Sequence, residues 1–416
     1  MLSRNSTWMG KRAAEISLGR AKGRHLHLAV NVVKRVSPAF MDTLAGLQNR
    51  FHTINITADN MPLLDEVLGL LLQSQSPQPL SELSVYCPSD PEFAHFYPPS
   101  TAFLTSFSAK ANGYQIKHYL PFLRVLRLSA CTGFYLHWQD VTWLSNQALP
   151  PIPSSPSTFA TLVASLATAP QLRKLEIISV TSHRSGIVDE NADTPLQAHF
   201  PNLETLHVED LYSDMIRPVI LSISPGSHHV SLYITRNSLD TQEDFPGGHI
   251  THDLNDLLVA IEGLPIHTLM LSGELVAGTS YWNWLDPGNL HDILRAIPSV
   301  TTLRIHEWDF SQKRWQELFL PLESYLLLHT PEFPDLRNLY LTKARIHDIN
   351  GLKDVVFSHS LRKLVIGATL ASPEGRVPLQ GSEDLVHWLR SRVPDVRIVD
   401  HTYEPLEFQS DEWQLW

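Results

Sequence analysis

Hydrophobic residues recur along the chain in a short pattern, L-x-x-L-x-L, that is clearest at residues 122–131. In this copy Leu126 and Leu128 flank Arg127, which is the period of two expected of a β-strand with one buried side. The middle apolar residues of the copies are Ile54, Leu83, Leu126, Leu175, Leu206, Leu232, Leu269, Leu303, Leu339, Leu364 and Val396. Each copy therefore predicts one strand.

Segments between these strands carry apolar residues at helical spacing. The apolar stripes fall at 63–72, 159–166, 254–261, 290–297 and 384–392. Residues three and four apart share one face of a helix, so each segment predicts a helix with a buried side. Gly263 and Pro298 follow two of the stripes directly, which is typical of a helix end. Strands and helices are thus expected to alternate.

The full form of the pattern, L-x-x-L-x-L-x-x-C ending at Cys131, is that of leucine-rich repeats. We expect an α/β fold, an irregular leucine-rich-repeat solenoid (horseshoe) with a parallel sheet on the concave face and helices on the convex face. The copies are more widely spaced than in regular repeats, which predicts insertions such as the Pro/Ser-rich 149–158. The β-α-β units of a doubly wound sheet are the alternative, but they lack this recurring pattern.

The same pattern divides the chain into three parts. Residues 25–400 are predicted to form the solenoid, 1–24 an N-terminal helix or cap, and 401–416 an acidic C-terminal tail with two tryptophans. The tail is expected to be either a terminal cap or a mobile arm.

Side chains between the core leucines point to the other side of each strand, into the predicted groove. We take seven of them as candidate partner-binding residues: Arg127, Glu176, His207, Tyr233, Arg304, Tyr340 and Arg397. Tyrosine and arginine are enriched where proteins bind each other, although each residue also fits an ordinary exposed strand. A protein partner in the concave groove is therefore expected.

Charge and composition restrict the partner and the compartment. The 32 basic and 43 acidic residues give a net charge of -11, and no basic stripe suited to nucleic acid is visible. The charges between Lys11 and Arg24 are interpreted as a solvated helix face. No signal peptide and no apolar run that could span a membrane is seen, and with two cysteines no disulfide framework is expected. We expect an intracellular protein, cytoplasmic or nuclear, without nucleic-acid or membrane partners.

A search for catalytic chemistry finds no nucleophile elbow, phosphate loop or dinucleotide motif. His249 and His252 have a spacing that suits a metal on a helix, but Pro246 and two glycines predict a loop there. We expect no catalytic residues, no cofactor and no metal. The alternatives are an enzyme with a metal-assisted site on these loops and a repeat-type regulator of a small GTPase. The aromatic run 281–284 is expected to pack over the solenoid edge rather than to form a binding knob.

The chain resembles the F-box/leucine-rich-repeat proteins that are abundant in basidiomycete fungi. The resemblance rests on three segments: Ile16-Ser-Leu-Gly-Arg-Ala-Lys-Gly-Arg with the following His25-Leu-His-Leu, Phe122-Leu-Arg-Val-Leu-Arg-Leu, and Phe333-Pro-Asp-Leu-Arg-Asn-Leu-Tyr-Leu. It implies a substrate-recognition subunit that docks through an F-box on the adaptor of a cullin-type ubiquitin ligase. No F-box start is visible before Trp8, so the F-box is expected to be lost or to lie upstream of Met1.

Overall fold

The computed structural model describes most of the repeat-bearing chain. With short gaps inside some of them, the described ranges are 25–32, 42–71, 80–87, 122–129, 166–179, 197–241, 251–273, 284–318, 334–372, 375–380 and 384–408. The predicted N-terminal element 1–24 lies outside these ranges, as do Cys131 and the predicted loop 149–158.

A long, mostly parallel sheet organises the described residues. Its strands are β1 (Leu26–Val32), β2 (Phe51–Ala58), β3 (Glu82–Tyr86), β4 (Val125–Ser129), β5 (Lys174–Ile178), β6 (Thr205–Glu209), β7 (His229–Ile234), β10 (Thr268–Ser272), β11 (Thr302–His306), β12 (Asp309–Phe310), β13 (Asn338–Ile346), β14 (Lys363–Ser372), β15 (Gly375–Pro378) and β16 (Asp395–Ile398). Two further short strands, β8 (Asp240–Thr241) and β9 (Thr251–His252), pair antiparallel with each other. Every copy of the leucine pattern forms a strand of the long sheet.

The strands follow one another across the sheet in chain order, from β1 to β7, then β10, β11, β13 and β14. All these pairings are parallel, and β16 also pairs parallel with β14. The exception is β15, which turns back at Gly375 (φ 131°) and pairs antiparallel with β14. Sequential parallel pairing requires each connection to return to the same end of the sheet, and helices provide several of these returns.

The helices lie between strands in the chain. They are α1 (Ser213–Leu221), α2 (Leu254–Ile261), α3 (Asn289–Ala296), α4 (Gln312–Gln316), α5 (Ile349–Ser358) and α6 (Asp384–Arg392). The predictions at 254–261, 290–297 and 384–392 are confirmed, whereas α1, which contains Pro218, was not predicted. Asp253 caps α2 by accepting a hydrogen bond from the Asn255 N–H at 2.8 Å, and Gly263 follows with φ 70°.

Leucines of the strands and apolar residues of the helices share one hydrophobic core. Leu126 and Leu303 on the strands, and Leu257 and Ile293 on α2 and α3, are completely buried. Burial of each such side chain stabilises the fold by about 2 kcal/mol. One side of the sheet is therefore covered by helices, and the chain is a mixed α/β protein. Among the described residues, no helix has the length and apolar content needed to cross a membrane.

The register of the sheet corrects one detail of the sequence interpretation. Leu206 on β6 pairs with Val230 on β7, so Leu232 is opposite Val208 and not opposite Leu206. The leucine pattern is thus two residues out of step between β6 and β7. Leu206, Val208, Val230 and Leu232 are all buried, so the core accepts this register as well as the one implied by counting repeats.

A backbone turn recurs where strands end. The residue two positions after the second core residue has a left-handed conformation in four strands: Ser179, Asp210, Glu307 and Lys343, with φ between 48° and 58°. A non-glycine residue in this region costs about 1 kcal/mol, so one such turn would be unusual. It recurs at matching positions: Ser179, Asp210 and Glu307 follow the ends of their strands, whereas Lys343 lies within β13 at the register shift between Leu341 and Ala344.

Candidate functional site

The side of the sheet away from the helices is called the open face below. It presents two rows of side chains, which alternate with the core leucines. The first row runs through Arg127, Glu176, His207, Ser231, Thr268, Thr302, Asn338 and Lys363. The second row runs through Ser129, Ile178, Glu209, Tyr233, Met270, Arg304, Tyr340, Val365 and Arg397.

All seven candidate residues lie on the open face, but in two groups. Arg127, Glu176 and His207 belong to the first row, and the register step at β6–β7 places the other four in the second row. The expectation that all of them are exposed is wrong for two. Glu176 is only 7% exposed and Tyr233 only 6%, because other side chains cover them.

One group, the first cluster, comprises Arg127, Lys174, Glu176, His207 and Glu209. The Arg127 guanidinium donates to the Glu176 carboxylate, and Lys174 Nζ lies 2.7 Å from Glu176 Oε1. Burial alone would raise the pKa of Glu176, but the charges of Arg127 and Lys174 outweigh it and hold that pKa below its usual value. Glu176 is therefore a buried carboxylate that stays ionised between Arg127 of the neighbouring strand β4 and Lys174 of its own strand β5.

The next pair of the first cluster is also contained within the sheet. His207 Nε2 lies 3.0 Å from Glu209 Oε2 on the same strand, and Glu209 is buried. Charges of the first cluster are thus matched by residues of β4, β5 and β6 themselves.

Tyr233 and Arg304 of the other group are contacted by the chain's own C-terminal segment, defined here as residues 399–408. This segment leaves β16 with a hydrogen bond from Val399 N–H to Ile366 O on β14. It then contacts β13, β11 and β7 in turn, through Glu404, Glu407 and Phe408. The segment therefore runs back over the open face from β13 towards β7, opposite to the chain order of the strands.

Two ion pairs attach the segment to the second cluster, which comprises Tyr233, Arg304, His306, Tyr340 and Lys343. Arg304 Nη1 donates to the Glu407 carboxylate, and Lys343 Nζ donates both to Glu404 and, at 2.9 Å, to Glu307. Burial would raise the pKa of Glu407, but its hydrogen bond from Arg304 leaves the pKa lowered. Burial lowers the pKa of Lys343, but its carboxylate partners Glu404 and Glu307 outweigh this effect and leave that pKa raised.

An aromatic contact completes the attachment. The Phe408 ring stacks on the His306 ring at 4.9 Å between centroids and meets the Tyr233 ring edge-on at 5.3 Å. This contact explains why Tyr233 is buried although it lies on the open face. It also covers His306, whose Nδ1 is 2.8 Å from Thr342 Oγ1.

His306 is held in its neutral form by this environment. Burial lowers its pKa to about 4, assisted by the charge of Lys343 and opposed by the carboxylates of Glu307 and Glu404. The ring that faces Phe408 is therefore uncharged near neutral pH, which suits stacking of one ring on another.

Tyr340 and Arg397 extend the second row beyond the covered part. The Arg304 guanidinium lies 4.6 Å from the centre of the Tyr340 ring, and Lys363 Nζ lies 5.7 Å from the same centre. Cations over an aromatic face attract it by about 0.5–1 kcal/mol at exposed sites. Arg397, on β16, is exposed.

Beside the segment, a cavity of about 310 Å³ opens at the carboxyl ends of β6, β7 and β10. Asp210 lies in its wall and accepts hydrogen bonds from Ser179 Oγ at 2.6 Å, Asn237 Nδ2 at 3.1 Å and Thr235 Oγ1. Trp284 Nε1 donates to Ser272 O at 2.8 Å across the same wall. Of the aromatic run 281–284, Trp284 thus packs against a strand end, and the rest lies outside the described residues.

Metal-binding geometry was sought in the part of the chain that the structure describes. No group of three or more His, Cys, Asp or Glu side chains there is arranged to hold a metal ion. His249 lies outside the described residues, and His252 is in β9 with its backbone opposite Asp240. Cys87 is a buried thiol next to β3.

Known proteins give no further constraint on the site, because no family model and no curated protein matches the chain. Sequence reasoning missed the contact between the C-terminal segment and the second cluster. The available signal was charge: two glutamates and a phenylalanine in 404–408, and two cations among the strand residues they meet.

Proposed function

We propose that this chain is a non-catalytic protein-binding scaffold of the leucine-rich-repeat type, with the open face as the concave groove of its solenoid. One observation carries the proposal. A polypeptide segment, residues 399–408, already lies on the open face and is attached by ion pairs to Arg304 and Lys343 and by stacking on His306. A face that binds one peptide segment in this way has the chemistry to bind another.

The architecture supports this proposal. Strands in chain order, a recurring turn at their ends and helices on the opposite side are what stacked repeats produce. The resemblance to F-box/leucine-rich-repeat proteins adds a specific role, that of a substrate-recognition subunit for ubiquitination. In that role the open face holds the protein to be modified, and an F-box contacts the cullin-type ligase adaptor.

The charges of the open face favour a protein as the partner over nucleic acid. Arg127, Arg304 and Lys363 are interspersed with Glu176 and Glu209, so the face carries no continuous positive stripe. Phosphate backbones require such a stripe, whereas mixed charges suit the varied side chains of a protein surface.

Affinity capture with a double variant tests the proposed function. Arg304→Gln with Tyr340→Ala removes a cation and a ring of the open face, and Arg295→Gln changes an exposed residue of α3 on the helical side as the control. Proteins captured from cell lysate by the unaltered chain and by Arg295→Gln are expected to be lost with the double variant. Identical capture by all three chains, each with an unchanged circular dichroism spectrum, would rule out the open face as the binding surface.

A further inference from the structure

The geometry points to a partner segment that is acidic and carries an aromatic residue, in the arrangement Glu-x-x-Glu-aromatic, and to the C-terminal segment as its built-in competitor. This inference rests on the proposed function and names the class of partner that the second cluster fits. It follows from three attachment points, each with its own chemistry.

The attachment points are spaced to read a short sequence. In Glu404-Pro-Leu-Glu-Phe408 the first carboxylate reaches Lys343 on β13 and the second reaches Arg304 on β11. The ring that follows directly enters the space between His306 and Tyr233. Two cations and an aromatic contact site therefore follow one another across the sheet from β13 to β7, and a peptide with the same order of side chains fits them.

The second cluster requires such a ligand, whereas the first cluster does not. Glu176 already pairs with both Arg127 and Lys174 within the sheet, and Glu209 has His207 as a partner at 3.0 Å on its own strand. Arg304 has its carboxylate partner, Glu407, on the segment, and Lys343 shares its charge between Glu404 of the segment and Glu307. When the segment leaves, the cation of Arg304 loses this partner, and an incoming acidic residue can take its place.

The segment is held weakly enough to be displaced. Glu404 and Glu407 remain about half exposed, and Leu406 is 68% exposed, so the apolar contact of this stretch comes from the buried Pro405 and the half-buried Phe408. Ion pairs between such exposed groups contribute about 0–1 kcal/mol each. The segment competes mainly because its tether gives it an effective concentration on the order of millimolar. A free peptide with identical contacts therefore binds the unaltered chain more weakly than a chain whose segment has been weakened.

Binding of a synthetic peptide to the full chain tests the inference. The probe is a fluorescently labelled peptide with the sequence of residues 401–410, and the receptor is the full chain with Glu404→Gln, Glu407→Gln and Phe408→Ala. Fluorescence anisotropy is expected to show at least about tenfold tighter binding to this variant than to the unaltered chain. Adding Arg304→Gln to the variant, or glutamine for both glutamates in the peptide, is expected to remove that gain.

Three results overturn the inference. They are equal binding to the variant and the unaltered chain, equal binding of the glutamine peptide, and a concentration-dependent dimer of the unaltered chain with exchanged segments, which would make a second copy the occupant. Lysate capture that depends on Arg304 and Tyr340, without any peptide binding, leaves the proposed function standing and removes this inference alone.

If the triple variant fails to fold, Gly367→Ala replaces it. A Cβ at Gly367 would lie 2.6 Å from Asp400 O and push the segment away.

Discussion

The first and second clusters are built on the same sheet from the same kinds of side chains, yet they are completed differently. In the first cluster, the buried carboxylate of Glu176 is matched by Arg127 on the adjoining strand β4 and by Lys174 on its own strand β5. In the second cluster, Arg304 and Lys343 are matched by Glu407 and Glu404, which come from the C-terminal segment. One cluster is therefore part of the fold, and the other depends on a segment that can be replaced.

This difference separates stability from recognition on one surface. Removing a cation from the first cluster leaves the buried Glu176 with only one of its two counter-charges, and that costs folding free energy. Removing a charge from the second cluster loosens an exposed segment and, under the proposed function, changes what the face binds. The predictions below test this separation, beginning with the largest expected effect.

The core beneath the two clusters is expected to be equivalent. Leu126→Ala under the first cluster and Leu303→Ala under the second each remove a fully buried side chain. Each variant is expected to lose about 3 kcal/mol of unfolding free energy, measured by urea denaturation, because both leave a cavity in the same kind of packing. A large difference in unfolding free energy between the two variants would mean that the core packing differs beneath the two clusters. Differences between the clusters could then not be assigned to the open face alone.

Arg127→Gln tests the claim that the first cluster is structural. Glu176 would keep Lys174 but lose Arg127, the cation with the larger Coulombic effect on it, while remaining buried. We therefore expect a loss of about 2 kcal/mol of unfolding free energy, measured by urea denaturation. Arg173→Gln is the matched control, because its ion pair with Glu204 (3.0 Å) is exposed at both ends. That control should change stability by less than about 0.5 kcal/mol. Equal effects of the two changes would contradict the assignment.

Gly367→Ala tests whether the segment can be loosened without touching any of its attachment points. The new Cβ would meet the Asp400 backbone, which must shift at a cost of about 1–2 kcal/mol, and residues 400–408 should become more susceptible to limited proteolysis. Gly46→Ala is the control, since nothing lies within 4 Å of its added Cβ. An unchanged cleavage pattern in Gly367→Ala would show that the segment does not depend on this close approach.

Acidification is expected to affect the second cluster before the first. The pKa of His306 is about 4 in the fold, below its usual 6.5, so its contribution to stability is complete above 6.5 and is lost as the pH falls towards 4. Glu407 and Glu176 both have lowered pKa values, so their contributions are lost only below about 4.5. Between pH 6.5 and 4.5, the protection factor of the Phe408 amide, which is its exchange rate corrected for the intrinsic rate at each pH, should fall while that of Lys174 changes less. An equal fall in protection at both sites would remove the distinction. Overall stability is a poorer readout, because burial also lowers the pKa values of His228, His229 and His267.

Regular features of the fold were predictable from the sequence, and the candidate site was predictable only in part. The alternation around Leu126 and Leu303 marks strands because the core imposes the period, and 384–392 marks a helix for the same reason. The register step at β6–β7 was not predictable, because Val230 and Leu232 satisfy the core equally well. The contact of Glu407 with Arg304 joins residues 103 positions apart and is not part of the repeating hydrophobic pattern, so no local sequence pattern predicts it. That the seven candidate residues bind a partner stays a prediction.

Amide hydrogen exchange in Arg304→Gln tests the central claim most directly. In the unaltered chain the Tyr403 N–H donates to Asp400 O and the Phe408 N–H to Pro405 O, both at 3.0 Å, so both amides report on the segment. If the open face holds a peptide segment through Arg304, these amides should exchange about fivefold faster in the variant, as loss of about 1 kcal/mol implies. The amide of Lys174 in the first cluster should be unaffected. Unchanged exchange at Tyr403 and Phe408 would contradict the claim that this face recognises polypeptide through its second cluster.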